Sequence, residues 1–83
     1  MAGTVRSEPY QRLLKAMIKL RKAQALSQSD LAERLGKPPS FVGKYELGER
    51  RLDVVEVFII LRALDAHPTV VLEDVLAELP ERL

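Results

Sequence analysis

The chain contains no cysteine and only one histidine, His67. The first absence removes disulfides, thiolate metal sites and sulfur nucleophiles, and it suits a reducing cytoplasm. The second removes paired-histidine metal sites and histidine-dependent catalytic triads. Long apolar runs are missing as well: the longest, 57–61, is far too short to span a membrane. No apolar leader segment stands near the N-terminus, so secretion is not expected. No stretch alternates between apolar and polar residues well enough to make a strand. Neither an acid–base pair in an evident pocket nor a phosphate-cradling loop can be picked out, so no enzyme activity, metal or cofactor is expected.

What is present is a short chain with unevenly placed charge. Its 83 residues make one domain, near the lower size limit for folding on an apolar core alone. Residues 1–51 hold eleven Lys and Arg against five Asp and Glu, a net +6. Residues 52–83 hold two against seven, a net −5, and together these make the whole-chain +1. A basic front part invites a polyanion, although the same charges would also serve simply to solvate a surface.

Glycine and proline divide the chain into about five helical pieces. Residues 1–6 read as a flexible tail ahead of a single domain over 7–83. The first helix is expected over about 9–25, with Ser7 as N-cap and Pro9 in the first turn, where a missing N–H costs nothing. Leu13, Met17 and Leu20 recur at helical spacing, and Leu14 and Ile18 widen the stripe. Arg12, Lys15, Lys19 and Lys22 fall mostly on the other side, as a solvated face. The second helix begins after Ser27, carries Asp30 in its first turn, turns Leu31 and Leu35 inward and stops at Gly36. The third starts at Pro39 and ends before Gly48, with Val42 and Tyr45 inward. The fourth runs from an N-cap at Asp53 to about Asp65, with Val54, Val57, Phe58, Leu61 and Leu64 as its core face. The fifth follows Pro68, with Thr69 as cap and Val70, Leu72, Val75, Leu76 and Leu79 as its apolar residues. The fold class is all-α, five helices with short connections.

The stretch SQSDLAERLGKPPSFVGKYELGERR carries the functional signal. Two helices of about two turns each are joined by GKP, which is the length and punctuation of a helix-turn-helix. Ala32 is small where the helices cross, and Gly36, four residues on, can take the left-handed conformation that turns the chain. Val42 plugs the angle between the helices, with Tyr45 one turn further. Such a turn presents the second rod as a ridge able to enter a major groove.

The run LSQSDLAERLG…SFVGKYELGERRLDVVE resembles the phage-repressor-type helix-turn-helix family (Cro/cI or XRE type), over about residues 13–66. The resemblance implies a lambda-repressor-like domain that binds double-stranded operator DNA, usually as a two-fold homodimer, with the third helix in the major groove. It implies a phosphate contact for Gln28 at the start of helix two, and base-edge positions for Ser40, Phe41 and Lys44. Phe41 has core packing as an open alternative. Arg50 and Arg51 follow on a turn that approaches the DNA backbone, and one of them has support of the turn as an alternative role. Arg21 and Glu46 match an ion pair tying helix one to the end of helix three. Two DNA-facing positions depart from the family pattern. Pro39 stands where relatives often carry Gln, and Gly43 where they carry a polar residue. Proline offers only apolar contact, and glycine costs the helix about 0.5–1 kcal/mol relative to Ala. Base reading should then rest on few residues, and phosphates should supply much of the affinity.

The fourth helix is apolar nearly all round, so it must be covered on more than one side. The fifth, over 69–83, covers part. Val55 and Ile59, with Leu79 and Leu83, are expected to form a self-complementary homodimer patch; the alternative is that helix five covers everything within one protomer. The expected function is a cytoplasmic, nucleoid-associated bacterial or phage transcription regulator of the repressor kind. The rival is an antitoxin-like or adaptor module that binds a protein through its C-terminal half. No membrane is expected as partner.

Overall fold

The computed structural model describes residues 8–83, apart from the Val70 side chain. Among them run α1 (Glu8–Ala23), α2 (Gln28–Leu35), α3 (Ser40–Glu46), α4 (Val54–Ala63) and α5 (Pro68–Ala77), with no strand among the described residues. The fold is the all-α, five-helix arrangement the sequence leads one to expect. The tail over 1–6 and the Ser7 cap lie outside the described residues.

Local chemistry sets where most helices begin and end. Ser27 Oγ accepts from the Asp30 N–H at 3.0 Å, and Asp30 Oδ2 accepts from the Ser27 N–H at 2.9 Å, so α2 opens on a reciprocal box. The Ser27 N–H, with the Ser27 hydroxyl beside it, holds the Asp30 carboxyl below the usual carboxylate range. α4 opens the same way: Asp53 Oδ1 accepts from Glu56 N–H at 2.8 Å, and Glu56 Oε1 from Asp53 N–H at 3.0 Å. α5 does not. His67 occupies the cap position without a side-chain bond to the helix backbone, its Nδ1 lying 3.4 Å from Thr69 Oγ1 instead, and Pro68 stands in the first turn. Thr69, expected as the cap, lies inside the helix, because a proline's fixed φ and missing N–H suit the first helical position.

Three helices close by one device. α2 ends with Gly36 at φ 68°, where the Lys37 N–H reaches back to the Ala32 carbonyl at 3.0 Å. α1 ends similarly at Ala23, short of the expected Ala25, because Ala25 itself takes φ 56° and Leu26 N–H bonds the Arg21 carbonyl. α4 closes around Asp65, φ 57°, with Ala66 N–H on the Leu61 carbonyl. Side chains from α2 and from the turn after α1 finish the end of α4: Arg34 donates to the Ala63 carbonyl at 3.0 Å, and Gln24 to that of Leu64.

One core joins all five helices, including Leu14 and Met17 of α1, Leu31 and Ala32 of α2, Val42 and Tyr45 of α3, Ile60 and Leu61 of α4, and Val71 of α5. Two expected faces are corrected. The buried side of α1 is Tyr10, Leu14, Met17 and Arg21, while Leu13 and Leu20 are only partly covered. The phase is set by Tyr10, whose hydroxyl accepts a buried 2.9 Å bond from the Leu52 N–H. On α4 the buried residues are Val57, Ile60 and Leu61; Val54 and Phe58, expected inside, are exposed. A helix apolar on every side has no single face for periodicity to find. On α5, Leu72 and Val75 are half-buried, whereas Leu76 is exposed, as is Leu79 beyond the helix end at Ala77. No described helix is long and apolar enough to cross a membrane.

Candidate nucleic-acid interface

α3 is seated by Val42 and Tyr45, which are 0% and 1% exposed, and burial pushes the Tyr45 phenol well above its ordinary pKa. Pro39, Ser40, Lys44 and Leu47 remain exposed on the rest of the segment. Lys44 has no ion-pair partner among the described residues. An uncommitted cation on a helix whose other side is buried is what a phosphate or a guanine edge can use.

Three helices meet beside this face. Arg21 of α1 grips Glu46 of α3 with its fork, Nε to Oε2 at 2.8 Å and Nη2 to Oε1 at 3.1 Å, and its Nη1 donates to the Leu26 carbonyl at 2.7 Å. Both side chains are under a tenth exposed, 9% and 6%. A buried guanidinium with all of these acceptors is satisfied; deprived of the carboxylate it would be a strongly destabilising charge. Gln28, first residue of α2, joins the same carboxylate, donating from Nε2 to Glu46 Oε1 at 2.8 Å. Thus four candidate residues, Arg21, Gln28, Gly43 and Glu46, come together in one cluster.

Phe41 is half-buried. Its ring meets Tyr45 edge-on with centroids 5.6 Å apart, while Lys37 Nζ lies 5.5 Å and Arg50 Cζ 5.0 Å from the Phe41 centroid. Arg50 is also bidentate to Glu56, at 3.0 and 2.8 Å. The Arg50 guanidinium holds the Glu56 carboxyl below the usual range, and that carboxylate raises the arginine's pKa in turn. Arg50 therefore ties the turn after α3 to the capping box of α4. Arg51 is exposed and lies over the Tyr10 ring, Cζ to centroid 4.6 Å. Two contributors escaped the sequence reading. Lys37 is an exposed cation at the head of the turn, and its only signal was a basic residue directly after Gly36. Glu56 anchors Arg50, a pairing across the turn that no helical spacing announces.

The residues expected in a dimer patch are all exposed: Val55, Ile59, Leu79 and Leu83. Three of them line two separate grooves. Ile59 lines one with Leu35, Phe41 and Ile60; Leu79 and Leu83 line another with Pro9, Tyr10, Leu13 and Arg51. Among the described residues no group of His, Asp and Glu is placed to hold a metal ion.

The helix-turn-helix family model matches residues 17–71 of the chain. Among solved structures the chain is similar to an XRE-family like protein from Pseudomonas syringae pv. tomato str. DC3000. The two are 42% identical over 87% of this chain and 88% of that one, with a TM-score of 0.80. No curated protein matches the chain. A bent pair of short helices with a buried ion-paired hinge, the family match over most of the chain, and close likeness to a solved relative lead to one conclusion: the chain belongs to the XRE-type helix-turn-helix family of DNA-binding regulators.

Proposed function

We propose that the protein is a transcriptional repressor that binds a two-fold operator as a homodimer, with α3 of each protomer in the major groove. The observation that carries this reading is the seating of α3: Val42 and Tyr45 are buried, while Ser40 and Lys44 stay exposed and Lys44 is unpaired among the described residues. Lys44 and Ser40 then read base edges, with apolar contact from Pro39. Gln28 donates to a phosphate at the start of α2. Arg51 supplies a second backbone contact, and Arg50, committed to Glu56 and Phe41, holds the turn that carries Arg51. Phe41 acts mainly by packing, since its ring is flanked by Lys37, Arg50 and Tyr45. The dimer closes through the exposed apolar side of α4, Val55 and Ile59, with Leu79 and Leu83 of the C-terminal segment as the other candidate surface. Two half-sites about one DNA turn apart follow from such symmetry. The protein acts in the cytoplasm, at the nucleoid.

A second reading is favoured by one observation. Phe58 and Leu76 are exposed as well, so the C-terminal half offers more apolar surface than the four dimer residues account for. An antitoxin-like or adaptor role, with a protein partner on that surface, would use it. Selection of bound sequences from random duplex DNA separates the two. A palindromic consensus supports the repressor reading; no enrichment of any sequence sinks it.

A further inference from the structure

We infer that Gly43 is a positioning residue for DNA binding: the side chain it lacks leaves room for Gln28 to lie against α3, clamped by Glu46 with an amide N–H held ready for a phosphate. The inference rests on the DNA-binding reading above and concerns how one contact of that interface is prepared.

Nothing in the backbone calls for glycine at this position. Gly43 lies mid-helix, and the positive-φ glycines are Gly36 and Gly48. An alanine there would favour α3, since glycine loses more conformational freedom on folding. The space beside it is what matters. A methyl group at position 43 would stand 3.3 Å from Gln28 Oε1, 3.8 Å from its Cδ and 4.0 Å from its Nε2. The three nearest atoms all belong to Gln28, so the glycine is the floor on which that amide rests.

Glu46 settles which way the amide faces. A carboxylate can only accept, so the Gln28 nitrogen and not its oxygen must turn to Glu46, as it does at 2.8 Å. One amide hydrogen is used there. No acceptor among the described residues takes the other. Arg21 neutralises Glu46 through two hydrogen bonds, so the clamp does not set a bare negative charge against a phosphate. The chain Arg21–Glu46–Gln28 thus orders a rotamer-rich side chain before DNA arrives, and the loss of freedom is not repeated on binding.

At position 43, stability and affinity should therefore move in opposite directions. The test uses the full chain and a duplex recovered by the selection described above, with Kd and thermal midpoint measured for each variant. Gly43→Ala should raise the midpoint by about 2–5 °C yet weaken binding by about threefold, and the bulkier Gly43→Leu should weaken it by about tenfold. Because Gln28 is neutral, the dependence of affinity on salt should keep its slope. In a Gln28→Ala background, either substitution at 43 should change affinity by less than about twofold. Two results overturn the inference: undiminished binding by both Gly43 variants, or a loss that persists without Gln28, which would show a direct clash at 43. Absence of any selected duplex for the unaltered protein would instead remove the DNA-binding reading on which the inference stands.

Discussion

At its start α2 has a reciprocal Ser27–Asp30 box and at its end a left-handed Gly36, and the Arg21–Glu46 fork anchors α3, its partner. By contrast, α5 starts at Pro68 behind a His67 that makes no side-chain cap bond, and Leu76 within it and Leu79 just past its end stand in solvent. The same short chain therefore uses two kinds of cohesion. Hydrogen bonds and ion pairs have direction, so they fix the angle at which α3 stands, and a groove reader depends on angle. Apolar burial is tolerant of small rotations and leaves whatever it does not cover available to another surface. In this molecule orientation is invested near the basic face, and unsatisfied apolar area is left at the acidic end.

The sharpest way to break that contrast is to remove the central carboxylate. Glu46→Ala strands the buried Arg21 guanidinium and should cost about 3 kcal/mol or more, a large share of the stability of any small domain. The exposed Leu79→Ser should stay within about 0.5 kcal/mol in the same urea titration. Equal losses would show that the two ends are held alike.

Next comes the surface of α4. Ile59→Asp should weaken self-association by more than about tenfold in sedimentation while leaving the monomer's unfolding midpoint nearly unchanged, since Ile59 is 46% exposed. An intact dimer would move the interface to the groove of Leu79 and Leu83.

Much of the directional half was legible beforehand, because caps and turns are local. Ser27, Gly36 and Asp53 declare themselves within a few residues, and each sits where short-range chemistry asks. The burial phase of α1 was less legible, since Tyr10 joins the core through a bond to Leu52, far along the chain. The face of α4 was least legible: apolar residues on every side let Ile60 exchange places with Val54 and Phe58 without disturbing any pattern. For the site, residue types alone marked Lys44 and Arg51 as cations. The Arg21–Glu46 pairing needed the family resemblance, and the seat of Gln28 over Gly43 required three dimensions. Glycine in sequence announces absence of a side chain; only packing says what uses the space.

Smaller effects sharpen the comparison of helix starts. Ser27→Ala should cost about 1 kcal/mol by removing the α2 cap, whereas His67→Asp should add up to about 1 kcal/mol by giving α5 a cap it lacks. Both are read by thermal or chemical unfolding. If His67→Asp brings no gain, the start of α5 is already satisfied in another way.

Acid should act mainly through the directional half. The Glu56 carboxyl, bonded by Arg50 and the Asp53 N–H, and that of Asp30, bonded by Ser27, both ionise below their ordinary values. A carboxylate whose folded pKa is depressed stabilises fully above its unfolded value, about 4. That contribution fades as pH falls through the lower folded value. Unfolding midpoints should therefore drop below about pH 4, and by less in Glu56→Gln, which has already lost the effect. An identical acid response in the variant would remove Glu56 from this explanation.

The most direct test of the whole account is a backbone amide NMR map of the protein titrated with its selected duplex. The largest changes should fall at Gln28, Ser40, Lys44 and Arg51, with Val75–Leu79 amides nearly unmoved. Largest changes along α4 and α5, with α3 silent, would contradict it.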